Sequence, residues 1–270
     1  MATVYFQPPA GTSSADWGTA SNWSAAPTNG DDIMVLDGAY AIVKSTTTYD
    51  AVAPARLVVS SGFKGKFGTP GTPIKFGNIT SLEWSGAGGA GYVHSTGTVA
   101  FARVAGTGGG RLNLVSGGTV TKLAMLLGDC EVSADVTLTY VRQLAGMLKV
   151  ISSANAITES IILGGNYEAE RNHTLLEVCG PSAVAKTIGS KTITTARLSG
   201  GMLRHWSTGT ITKLDGIAGR ISSRGAYKAF AVTDAELWKG FQVEDGGEVR
   251  LITFTNTPQY LGYSGGEAFR

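Results

Sequence analysis

Charge and reactive side chains are both scarce in this chain. Only 16% of its 270 residues are charged, and there are three histidines and two cysteines. Three scattered imidazoles, His94, His173 and His205, give no metal-ligand spacing. No His-Glu-x-x-His segment, Gly-x-Ser-x-Gly elbow or Cys/His pair occurs, so zinc and nucleophilic chemistry lack candidates. Cys130 and Cys179 read as two reduced thiols, with a disulfide as the alternative. The 22 basic and 20 acidic residues are interspersed, which argues against a nucleic-acid footprint or an anionic-membrane patch. No run of about 18 apolar residues is present, so no membrane-spanning helix is expected. Met1 to Pro9 lacks a basic stretch followed by an apolar one. The expectation is a polypeptide that stays where it is made, or leaves as part of an assembly or by a route that needs no such leader.

Glycine is the exception to this poverty: 38 residues against about 19 at the average frequency of roughly 7%. The excess is periodic. Gly91, Gly110, Gly128, Gly146, Gly165, Gly201 and Gly219 lie 19, 18, 18, 19, 36 and 18 residues apart, so one turn of about 18 lacks its glycine or carries it displaced at Gly180. The second residue after each is apolar: Val93, Leu112, Cys130, Leu148, Tyr167, Leu203 and Ile221. These seven are expected to stack. The fourth gives a weaker column of Leu114, Val132, Val150 and Ala169, before His205 and Ser223 make it polar. A β-branched pair precedes the glycine in many units, as in Val120-Thr121, Ile157-Thr158, Ile193-Thr194 and Ile211-Thr212.

Short strands in units of 18 to 20 residues cannot bury their apolar faces alone and must coil and stack. The fold class expected is therefore all-β: a single-domain parallel β-helix, or β-solenoid, of roughly ten turns. A six-residue beat from Val120 to Ile162 would suit a left-handed hexapeptide coil. Uneven turns, an insertion near 171–191 and the wrong residues at the other hexad positions favour a right-handed one. The divisions expected are an N-terminal cap over 1–37, the coil over 38–254, and an end cap or anchoring tail over 255–270. Gly247 to Leu251 repeats the glycine-strand unit, and Thr233 to Trp238 is the one helical candidate.

Motifs that could carry chemistry read as scaffold. Gly86 to Gly91 satisfies G-x-G-x-x-G, but a strand follows it where a dinucleotide site needs a helix N-terminus. Glu168 to His173 reads as an exposed polar turn. The outward residues His94, Asn113, Glu131, Lys149, Glu168, Arg204 and Ser222 suggest an ion ladder between rungs, without the stacked acids of a polysaccharide-cleaving coil. Asp215, Asp234, Glu236, Arg111 and Arg220 remain ungrouped. The N-glycosylation sequons at Asn22, Asn78 and Asn172 are discounted for want of a leader. Neither a catalytic, cofactor-binding nor metal-binding residue is expected, and the chain reads as a non-enzyme. Trp84, Trp206 and Trp238 read as packing before sugar platforms.

Trp17 and Trp23 are expected to plug the first coil. Trp17, then Asn22-Trp23-Ser24, Pro27 and Gly30-Asp31-Asp32 leading into a strand, resemble the opening of β-solenoid proteins found among bacterial surface proteins and phage structural proteins. The phage resemblance implies a repetitive, often trimeric virion component of the capsid decoration or cement type. It would bind the major capsid protein, sit on the virion surface after assembly in the host cytoplasm, and engage neither nucleic acid nor membrane. The alternative it leaves is a tailspike-like or adhesin coil that binds or cleaves host polysaccharide. Tyr260, Tyr263 and Phe269 are the aromatic tail residues from which trimerisation is expected.

Overall fold

In a computed structural model, strand covers 58% of the chain and helix 1%, and the strands form a parallel β-solenoid of about 11 turns. The structure describes residues 2–86, 88–106, 110–115, 117–225, 229–244 and 251–262. The Gly247–Arg250 part of the last expected repeat, Tyr263 and Phe269, and the final eight positions of the expected tail lie outside the described residues. Contacts divide the chain into one unit of residues 1–140 with 146–151, and a second of 141–145 with 152–270.

Alternation at period two decides what each strand buries. In the first unit, Thr3–Tyr5 pairs in parallel with Asp32–Gly38, that with Arg56–Phe63, then Ile79–Trp84, Thr98–Ala105 and Thr119–Leu127. A second face runs through Ile74–Phe76, Gly91–Ser95, Leu112–Leu114, Asp129–Val132 and Met147–Val150. In the second unit, Ile157–Ile162, His173–Val178, Ile193–Ser207, Ile211–Ser222 and Phe230–Trp238 repeat the first face. Asn166–Ala169 and Val184–Gly189 begin its second face, which continues into the later halves of Ile193–Ser207 and Ile211–Ser222. Thr233 to Trp238 is thus strand and not helix: its alternation puts Val232, Ala235 and Leu237 inside, and pairing on both sides overrides its weak helical pattern.

The expected stack lies in the interior, and register shows how. Leu112 pairs with Cys130 and Cys130 with Leu148; in the second unit Tyr167 pairs with Ala185, Ala185 with Leu203 and Leu203 with Ile221. Ala185 supplies the turn that the glycine spacing skips. In that turn Ala183 stands between the rungs of Gly165 and Gly201, and Gly180 is displaced into a tight turn whose carbonyl accepts from the Ala183 N–H. Val93 is buried but stands two residues out of line: it pairs with Leu114 and Ile74, while Gly91 faces Leu112. The reason is Trp84. A Cβ on Gly91 would lie 2.1 Å from the Trp84 ring, so glycine takes the core position there and the indole fills the space. His94 shifts with Val93 and faces Lys75, not Asn113.

The hexad beat is a coincidence, because Leu144 and Ala156 on it are exposed. The corner glycines are obligatory for two separable reasons. Gly146 has φ of 77°, and a Cβ there would lie 2.0 Å from the Gly128 carbonyl oxygen of the coil beneath. Gly189 has φ of 90° but open space around its Cβ position. Gly189→Ala is therefore expected to cost about 1–2 kcal/mol of backbone strain. Gly146→Ala is expected to cost that and the displacement of a stacked carbonyl, and so to lower the melting temperature more in paired thermal unfolding. Equal shifts would show that stacking does not constrain the corner.

At the N-terminal end of the first unit the aromatic plug is in place. Trp17 is 1% and Trp23 7% exposed, their rings 4.5 Å apart edge to face, with Phe6 stacked on Trp17 and Phe67 and Phe76 closing round it. Trp23 Nε1–H donates to the Trp17 carbonyl at 2.9 Å.

Candidate functional site

Charged side chains on the outer faces pair across rungs. Glu131 meets Arg111 at 3.0 Å and Lys149 at 4.0 Å, Glu168 meets Lys186 at 3.0 Å, and Arg220 meets Glu244 at 3.0 Å. On the other face Arg197 lies between Glu177 and Asp215, and Lys213 between Asp215 and Glu236. Of the acids left ungrouped by the sequence, Asp215 and Glu236 are brought together here around Lys213, while Asp234 accepts from the Asn256 side-chain amide at 2.6 Å. Exposed pairs of this kind contribute about 0.2–1 kcal/mol apiece. Among the described residues, no group of three or more His, Cys, Asp or Glu is placed to hold a metal ion. Both cysteines are free thiols; burial pushes the Cys130 thiol far up, and burial raises Cys179 as well, the reverse of what a nucleophile needs.

The remaining motifs are turn chemistry. A Cβ on Gly88 would fall 1.8 Å from the Lys64 carbonyl oxygen, so the Gly86–Gly91 run, of which Ala87 lies outside the described residues, fits the backbone of the preceding coil. The Asn78 side-chain oxygen accepts from Thr98 N–H at 2.8 Å, and that of Asn172 from Thr192 N–H at 2.9 Å; Asn22 is buried and donates to the Asp16 carbonyl. Two of the sequons therefore tie one turn to the next.

Asn113 is a correction: it is 5% exposed and donates to the Gly91 carbonyl of the coil below at 3.0 Å. The run Glu168 to His173 is another, since Arg171 and His173 are wholly buried. They belong to a polar interior of the second unit that the sequence reveals only as His205 and Ser223 in the second column. The Tyr167 hydroxyl lies 2.8 Å from His173 Nε2 and 3.2 Å from Ser160 Oγ. His205 donates from Nε2 to the Gly209 carbonyl at 2.8 Å, which leaves Nδ1 to accept from the Thr187 hydroxyl at 2.6 Å. Burial holds both imidazoles down at about 4. They are neutral groups satisfying a core, enclosed from any substrate.

The three tryptophans part company. Trp84 is buried at 1% exposure. Trp206 is half-buried, donating to the Arg224 carbonyl with Lys186 Nζ 4.3 Å from its ring centre. Trp238 is 46% exposed. It ends a line that sequence reading misses, formed by the residue just before each glycine corner. In the second unit Leu144, Leu163, Ile217 and Trp238 are exposed at this place, and an open groove of about 480 Å³ runs over the rungs from Pro181 to Gln242, with Gly200, Gly201, Gly219 and Gly240 in its lining. The available signal was the recurring apolar residue ahead of Gly-Gly or x-Gly.

The geometry defines a class, the parallel β-solenoid, by register alone. Comparison with protein-family models, with curated proteins and with solved structures finds no match.

Proposed function

We propose that this chain is a non-enzymatic structural protein of a bacteriophage virion: a capsid decoration or cement subunit, homotrimeric, that binds the major capsid protein through one end and stabilises the head lattice. It is assembled in the host cytoplasm and resides on the capsid surface. The observation that carries the reading is the use of the charged residues. The outer-face acids Glu131, Glu168, Glu177, Asp215, Glu236 and Glu244 each pair with a base on their own or a neighbouring rung, which suits a rigid spacer better than a catalyst. The tryptophan-led opening, with its resemblance to phage coils, supports the same reading.

A mixture of the purified protein with heads lacking it tests this. Co-sedimentation with the particles, and a rise in their disruption temperature, are the expected results; heads that neither bind nor gain stability would overturn the proposal. Exposed Trp238 and half-buried Trp206 favour a second reading, an adhesin coil for host polysaccharide. Binding to glycans that Trp238→Ala abolishes, together with failure to bind heads, would select it.

A further inference from the structure

One stretch of the second unit breaks the balance of charge found elsewhere. On its second face, residues 184–189, 201–207 and 219–224 form three successive rungs that carry Lys186, Arg204, Arg220 and Arg224 and no carboxylate. Acids stand on the rungs to either side, Glu168 and Glu170 before the stretch and Glu244 after it. Glu168 takes Lys186 and Glu244 takes Arg220, each at 3.0 Å. Among the described residues, Arg204 and Arg224 form no ion pair; Arg204 Nε lies 3.2 Å from Met202 Sδ, and Arg224 is exposed. Lys186 and Arg204 are direct partners in register, so two cations sit about 4.8 Å apart along the coil. Like charges so placed oppose each other, and an anion between the rungs relieves them.

Trp206 holds this bank in shape. Lys186 Nζ lies 4.3 Å from its ring centre, its indole N–H donates to the Arg224 carbonyl at 2.9 Å, and a Cβ on Gly225 would lie 3.0 Å from the ring. It thus seats a lysine and ties down the turn that carries an arginine. The bank borders the groove of about 480 Å³: Val184, Met202 and Arg220 line both, and the exposed Ser182 and Gln242 add a hydroxyl and an amide to the groove.

Charge selects an anionic partner, and the geometry selects among anions. An extended peptide binds by adding to an open sheet edge, whereas each strand here is paired on both sides. A single nucleic-acid strand stacks its bases on open aromatic faces, whereas Lys186 covers the Trp206 ring. A sugar chain needs neither. Its hydroxyls suit Ser182 and Gln242, and acid groups on it suit the fork of an arginine.

We propose that the groove and its basic bank bind an acidic polysaccharide, with acid groups of the chain on Arg204 and Arg224 and its sugar rings in the groove against Val184 and Met202. The inference rests on the adhesin reading and deepens it: the glycan is acidic, and its contact moves from Trp238 to the second face of the coil.

Surface plasmon resonance of the full chain on immobilised polygalacturonate, hyaluronate and dextran sulfate tests it, with dextran, polyglutamate and a thymidine oligonucleotide as comparisons. Binding to at least one of the three acidic chains is expected, with none to dextran and weaker binding to the other two polyanions. The double variant Arg204→Gln, Arg224→Gln, which keeps the side-chain stems, is expected to weaken binding about tenfold or more at an unchanged melting temperature. Lys122→Gln, which removes an exposed charge in the first unit, is expected to leave it unaltered. No binding to any acidic chain overturns the inference, as does equal weakening by Lys122→Gln, which would reduce the effect to net charge. Equally tight binding of polyglutamate or the oligonucleotide overturns the choice of a polysaccharide. Glycan binding that Trp238→Ala abolishes and the double variant leaves intact overturns this site and keeps the adhesin reading.

Discussion

Trp17→Ala is expected to destabilise the first unit by about 3–5 kcal/mol, the cost of emptying a large aromatic site in a core that cannot collapse to fill it. The indole is 1% exposed and touches four other rings, with centroids 4.5 Å from Trp23, 5.3 Å from Phe6, 5.4 Å from Phe67 and 5.5 Å from Phe76. The Trp23 indole N–H donates to the backbone carbonyl of residue 17, which the substitution keeps, so the expected loss is that of the packed ring. Urea unfolding followed by tryptophan fluorescence and by circular dichroism measures it, with Trp238→Ala as control. The control removes a half-exposed ring and is expected to change stability by less than about 0.5 kcal/mol. Similar midpoints for the two variants would show that the plug does not hold the end of the coil.

Acid is expected to unfold the second unit from within. His173 and His205 have folded-state values of about 4, against about 6.5 in an unfolded chain. Protonation is thus taken up on unfolding. The stabilisation is complete above pH 6.5 and is lost as the pH falls from there through 4. Integrated over that window, each histidine accounts for about 3 kcal/mol. The cause is chiefly burial in both. Arg171 and His205 add like-charge opposition at His173, the Arg171 backbone works against the shift there, and the Gly209 carbonyl works against it at His205. The Tyr167 hydroxyl and the Thr187 hydroxyl are the neutral partners, and the Phe230 ring packs edge-on against His205. Asp16 and Asp31, both held below the usual carboxylate value, also lose stabilisation on acidification, at lower pH. Melting temperatures of the wild type, His173→Gln and His205→Gln between pH 7 and 4 test this. Each variant is expected to be less stable at pH 7 and to show a shallower decline; an unaltered slope in both would rule out the imidazoles as its source.

Periodicity made much of the coil legible and concealed its exceptions. The glycine interval brought out the pairing of Leu112 with Cys130 and Leu148, and of Leu203 with Ile221, because residues one turn apart in a solenoid are also one rung apart in space. The same interval misplaced Val93, since nothing local distinguishes a glycine needed for its positive φ from one needed, like Gly91, to make room for Trp84 seven residues earlier in the chain. Arg171 and His173 looked like surface by residue type; a hydroxyl from Tyr167, supplied from the preceding strand, is what makes the burial of His173 tolerable. Thr233 to Trp238 looked helical because its composition was read without the rungs on either side.

What the sequence alone determined is the repeat, its length, and the alternation that divides inside from outside, since all three depend on spacing along the chain. The tertiary structure decided register where turns are uneven, which polar groups the interior satisfies, and the joining of exposed corner residues into one line. Those depend on what lies above and below each rung, a contact that covalent order leaves open until the chain has closed on itself.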